Sequence, residues 1–135
     1  MCYIKDVGET MAKVQVGDLV CMFRRKNKGM GIVLEYTDDL VERSGAGITF
    51  DEFMGAIKDI GDKYDQRATY RRKLKAHARY PDLINTCLIY NASWAKKPKK
   101  EFVRIRWFDC PSMYETAKTK EIEEWCPIDW VRKVK

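Results

Sequence analysis

The sequence predicts an α+β protein in which five short strands close into a compact β-barrel, with a mostly helical insertion between the second and third barrel strands. Three observations carry that prediction. Across residues 102–109, Val103, Ile105 and Trp107 alternate with Arg104 and Arg106, the period-two pattern of a half-buried antiparallel strand. Four other short apolar segments, at residues 18–24, 31–36, 121–125 and 131–134, offer partners for its apolar face. Between the second and third strands, Phe50, Phe53, Met54, Ile57, Ile60 and Tyr64 recur at spacings of three and four, which makes one apolar helical stripe. A chain of 135 residues suits one domain with a core that needs no staples. Its barrel strands are expected from residues 14–36 and 102–135, and its helical insertion from about 48–91.

Each element has its own local reason. Tyr3, Ile4 and Val7 suit either a short extra strand or an extension, and partial order is expected for residues 1–10. Gly17 and Asp18 form a turn pair, after which Leu19, Val20, Cys21, Met22 and Phe23 read as a strand. Residues 24–29 make a basic polar loop with Asn27 and Gly29 where positive φ is expected. Gly29 and Gly31 then permit a bulge or sharp bend at the entry to the second strand. As a phosphate cradle the Gly-Met-Gly is weak, because no helix follows to present its N-terminus. Residues 37–47 read as loop. Thr49 and Glu52 then have the spacing of a capping box, with Ile48 placed to staple against Phe53. Gly61 either ends that helix or weakens it.

A second helix is expected from Asp62 or Asp65 to Ala78, with Tyr70, Leu74 and His77 on one face and Pro81 closing it. Residues 83–90 match a helical face through Leu83, Ile84, Cys87 and Leu88 but also match a buried strand; a helix beginning at Asp82 is the favoured reading. A basic loop through Trp94, Lys96, Lys97, Lys99 and Lys100 leads into the strand at Phe102.

The net charge of +6 is concentrated in one region. Residues 65–104 hold 11 basic residues against Asp65, Asp82 and Glu101, a balance of +8, while the remainder holds 15 basic and 17 acidic residues, a balance of −2. The candidate contacts for an anionic partner are Arg67, Arg71, Arg72, Lys73, Lys75, Arg79, Lys96, Lys97, Lys99 and Lys100. A solvated helix face is the plainer alternative. No apolar run approaches a membrane span and the N-terminus does not resemble a signal peptide, so a soluble protein is expected. Five cysteines without a Cys-x-x-Cys pair, and His77 as the lone histidine, do not supply the short-spaced ligand pairs of a zinc site. Reduced thiols are expected.

The ending Pro127-Ile128-Asp129-Trp130-Val131 resembles the Pro-x-Asn-Tyr-Val ending of Src-homology-3-like barrels, where a strand, a one-turn 3₁₀ helix and a closing strand follow one another. The opening Val16-Gly17-Asp18-Leu19-Val20, the strand Gly31-Ile32-Val33-Leu34 and the Val103-to-Asp109 strand are similar to those of short barrel proteins of tailed bacteriophages, notably marine and cyanobacterial ones. The resemblance covers roughly 50 to 60 residues and excludes residues 37–100. It implies a virion or host-cytoplasmic location. The acidic Ala-Leu-Tyr-Asp-Tyr signature of signalling members is absent, so polyproline binding is not implied. Tyr114, Trp125, Pro127 and Trp130, with Trp107, could line a similar aromatic groove. Against this, Trp107 and Trp130 are expected in the core and Trp125 half-exposed.

The expected function is a non-enzymatic protein-interaction module, a phage virion component or assembly accessory with a phage or host protein partner and a possible homo-oligomeric state. Phe50, Phe53 and Met54 offer a second contact surface. The alternative is a nonspecific nucleic-acid-binding protein using the basic insertion, with Tyr70, Tyr80 or Trp94 stacking on bases. Nucleophile–base pairs, shielded carboxylate pairs, P-loops and ligand clusters are missing from the sequence, so neither catalytic residues nor cofactors are expected.

Overall fold

A computed structural model describes residues 13–22, 29–93, 95–108 and 122–134. The expectations for residues 1–10, for Trp94 and for Tyr114 lie outside the described residues. The chain divides into two compact units, Met1–Tyr36 with Val103–Lys135, and Thr37–Phe102.

The first unit is a sheet. Its strands are β1 (Leu19–Met22), β2 (Met30–Thr37), β3 (Phe102–Trp107), β4 (Ile122–Pro127) and β5 (Val131–Lys133). All five expected strands form, but the closed barrel does not. Hydrogen-bonded neighbours run β4-β3-β2-β1-β5, an open five-stranded sheet whose outer strands do not pair with each other. Pro127, which has no N–H to donate, and the 3₁₀ turn Ile128–Trp130 stand where a β4–β5 ladder would begin. The three 3₁₀ residues advance only about 6 Å, a short link from β4 to β5.

β1 pairs antiparallel on both sides, with Val20 opposite Gly31 and Lys133, and Met22 opposite Val131. Its core-facing residues are Val20 and Met22, while Leu19 is 46% exposed. Val20, Met22, Val33, Val103, Ile105, Trp107, Cys126 and Val131 form the core cluster, with Val14, Ile128 and Trp130 packed against it. The alternation in β3 therefore holds as expected. Gly31 has a further reason beyond the expected bend. A Cβ there would lie 2.5 Å from Ile105 Cγ2 and 2.8 Å from the Arg106 carbonyl oxygen, so only glycine lets β3 approach. Cys21 on β1 is disulfide-bonded, which corrects the expectation of uniformly reduced thiols; Cys87 and Cys126 are free and buried.

The second unit comprises α1 (Leu40–Ser44), α2 (Phe50–Ile60), α3 (Tyr64–His77) and α4 (Pro81–Tyr90). α2 starts at the Thr49–Glu52 capping box, with both reciprocal hydrogen bonds made, and stops at Gly61. The segment read as loop contains α1, capped by Asp39 and ended by Gly45 in the left-handed region. Its signal is short: one turn with two apolar residues, Leu40 and Val41, too brief for periodicity to register. Residues 81–90 are helical, with Pro81 opening α4 at its first turn rather than closing α3. Leu40, Val41, Phe53, Ile57, Ile84, Cys87 and Phe102 are buried in this unit. Phe53 meets Tyr70 with ring centroids 6.4 Å apart, and Tyr90 meets Phe102 at 6.0 Å.

Candidate functional site

α3 and α4 pack on each other. Ser93 Oγ donates to Asp62 Oδ1 at 3.1 Å, which ties the chain leaving α4 to the chain entering α3. The first turns of α3 thus lie beside the last turns of α4. Between them is a groove of about 290 Å³. α3 lines it with Tyr64, Arg67, Ala68 and Arg71, and the other wall is Leu88, Ile89 and Ala92. Tyr64 is 73% exposed and Ile89 69%, so two large apolar side chains stand in solvent at this one place.

The sequence spacing places Tyr64 on the apolar stripe of the preceding helix. The Gly61 cap breaks that register, and Tyr64 instead becomes the first residue of α3. Ile89 carried a usable signal: it falls off the stripe of Leu83, Ile84, Cys87 and Leu88, an apolar residue without a core position. His77, expected on the apolar face of α3, is exposed.

The predicted basic residues do not form one patch. Arg67, Arg71 and Lys75 recur at i, i+4 and i+8 along the Tyr64–Ala68 stripe, with Arg72 flanking it. Lys73 falls by helical phase on the opposite side. Arg79 lies beyond the end of α3, its guanidinium 5.9 Å from the Tyr80 ring centroid. Lys100 sits 5.8 Å from the ring centroid of Phe50, and Lys96 and Lys97 are exposed in their loop. Lys99 is held by its backbone. Its N–H donates to Asn91 Oδ1 at 2.6 Å, and its carbonyl accepts from Asn91 Nδ2 at 2.9 Å. Asn91, fully buried after α4, anchors the loop in the way a strand partner would, and nothing in the sequence distinguishes it from an ordinary turn asparagine.

Charge in the helical unit is segregated along the chain. Residues 37–65 carry eight acidic and three basic side chains; residues 66–100 carry ten basic and one acidic. The hydrophobic surface expected from Phe50, Phe53 and Met54 is not offered: Phe50 and Phe53 are buried and Met54 is half-buried. These rings fill the helical unit's own interior.

In the sheet unit, Trp107 is fully buried and its indole N–H donates to Glu124 Oε2 at 2.9 Å. Pro127 is buried, while Trp125 and Trp130 are half-buried. Arg104 reaches Glu35 on β2 at 2.8 Å and also Glu123 on β4; Arg106 donates to Glu123 Oε2 through Nε at 2.9 Å and Nη2 at 2.7 Å. Hydrogen bonding from Arg106, with the charge of Arg104 beside it, holds the Glu123 carboxyl below its usual range. The hydrogen bond to Glu35 similarly raises Arg104 above its ordinary value. This lattice joins β2, β3 and β4 and neutralises itself.

Among the described residues, no group of three or more His, Cys, Asp or Glu could hold a metal ion, and no helix is long and apolar enough to cross a membrane. No known protein family, curated protein or solved structure matches the chain.

Proposed function

We propose that the protein is a non-enzymatic protein-interaction module whose helical unit docks an acidic protein partner on the face of α3 that carries Arg67, Arg71 and Lys75. The observation that supports this most directly is the spacing of Arg67, Arg71 and Lys75 at i, i+4 and i+8 on one face of α3, within a segment, residues 66–100, that carries ten basic side chains against one acidic. Such a concentration raises the local density of a negatively charged partner and speeds its encounter. The role suits a phage virion component or an assembly accessory, as the resemblance of residues 16–20, 31–34 and 103–109 to short phage proteins implies. The test is anisotropy of a labelled Glu/Asp-rich peptide against the wild type, an Arg71→Glu/Lys75→Glu variant and a Lys73→Glu control. Binding is expected to be lost in the double variant and kept in the control. Equal loss in both would reduce the effect to net charge and defeat the assignment of this face.

A second reading is nonspecific single-stranded nucleic-acid binding. It is favoured by the repeat of positive charge about every 6 Å along α3, beside the exposed ring of Tyr64. A twenty-nucleotide oligo-dT titration examines it. Affinity that stays constant between low and moderate salt excludes a phosphate-dominated mode.

A further inference from the structure

We infer that the α3–α4 groove receives one bulky apolar side chain of the partner, while a neighbouring carboxylate of the same partner is held by Arg71 and Arg67. This rests on the acidic-protein reading above and specifies its contact. Three features of the groove converge on that occupant.

The first is size. A space of about 290 Å³ sits at the lower edge of ordinary ligand pockets, roughly 300–1,000 Å³. It has room for a single large side chain rather than an extended small molecule. The second is the lining. Ala68, Leu88, Ile89 and Ala92 present branched or small aliphatic groups, and Tyr64 presents the one ring. The Tyr64 ring at the rim offers a π-face to one base at most; the aliphatic remainder of the cleft suits an inserted side chain of the kind that dominates protein interfaces. Tyr64 and Ile89 stand 73% and 69% exposed, and covering them supplies the hydrophobic gain. The third is charge. Arg67 and Arg71 are one turn apart on the same wall, and the planar guanidinium is suited to a carboxylate by its paired donors. Charge complementarity therefore selects an acidic segment with an apolar anchor, and the groove sits on the stripe that carries the basic excess.

The experiment uses the full chain and a short labelled peptide with a central tryptophan flanked on each side by aspartate and glutamate. Two companion peptides replace the tryptophan by alanine, or the four acids by their amides. Anisotropy gives affinities, and amide shifts at Ala68, Ile89 and Ala92 report the location. The tryptophan peptide is expected to bind about tenfold or more tightly than either companion. Ile89→Asp and Arg71→Glu should each lower its affinity by about tenfold, while Lys73→Glu changes it less than about twofold. Ile89 and Arg71 are surface positions, and circular dichroism checks that both variants fold. Acidic peptides binding equally with and without tryptophan, indifferent to Ile89→Asp, would overturn the groove assignment and leave the basic-face reading standing. No binding of any peptide would overturn both. Oligo-dT binding that shifts these same amides and is lost in Ile89→Asp, with the peptide inert, would replace the proposed occupant by nucleic acid.

Discussion

The sheet unit and the helical unit handle their arginines in opposite ways. In the sheet, Arg104 and Arg106 emerge from β3 and are matched by Glu35 on β2 and Glu123 on β4, the strands to either side of it. In the helices, Arg71, Arg72 and Lys73 are exposed along α3, and the carboxylates of the unit are concentrated earlier in its chain. Cross-strand geometry places opposite charges face to face, whereas consecutive turns of α3 repeat the same sign at i, i+4 and i+8. The difference teaches that charge content alone does not mark a surface for binding. The same residue type is internal bracing at Arg104 and Arg106 and an outward field at Arg71 and Arg72.

The largest expected effect breaks the sheet side of the contrast. Trp107→Ala removes the largest fully buried side chain and leaves Glu124 without its indole donor. A loss of about 3–5 kcal/mol is expected in urea unfolding. Asn91→Ala strikes the helical unit. Removing the amide leaves the Lys99 N–H and carbonyl without that partner, and about 2–3 kcal/mol should be lost. Hydrogen exchange at the Lys99 amide should accelerate, and an unchanged rate would show that the clamp is not holding the loop.

A smaller effect of opposite sign is expected two turns earlier on α4. Asn85 buries its Oδ1 with no hydrogen-bond partner. Asn85→Leu should therefore raise stability by up to about 1 kcal/mol, so that two asparagines of similar placement respond in opposite directions. Arg71→Glu should move stability by no more than about 0.5 kcal/mol while altering partner binding. A large stability loss there would place Arg71 in the structural lattice after all.

The titrating groups sharpen the same contrast. Glu123 has a folded-state pKa below its ordinary 4.5, so its contribution is present above that value and is lost as pH falls through the depressed one. Glu123→Gln should flatten this acid limb of the stability–pH profile. Burial pushes the Cys87 thiol up to about 12, from an ordinary 9.0. Stability should decline as pH rises past 9, where the unfolded thiol ionises first and the folded one still holds its proton. At pH 8 Cys87 should resist alkylation in the native protein and react on unfolding, as mass spectrometry of the labelled peptide would record.

Much of this was legible in sequence because it is local. The β3 alternation and the Thr49–Glu52 capping box depend on contacts within a few residues, and each appears where the pattern put it, while Gly61, which either ends or weakens the helix by its sequence, ends it. Leu40–Ser44 escaped because five residues span barely more than one helical period and do not repeat the signal. Asn91 escaped because its partner lies eight residues away, across a turn the sequence does not announce. The spacing of three and four continues across Gly61 to Tyr64 although the helix does not.

The sequence by itself determined five strands, the position of the helical segment between the second and third, and the excess of positive charge over residues 65–104. The tertiary structure alone decided that the sheet stays open, because strand closure depends on which edges meet and not on any strand's own pattern. It alone decided, too, that Tyr64 and Ile89 share a groove with Arg67 and Arg71. Side chains about 25 positions apart become neighbours only when two helices pack, and hydrophobic packing is non-directional until the backbone gives it a direction.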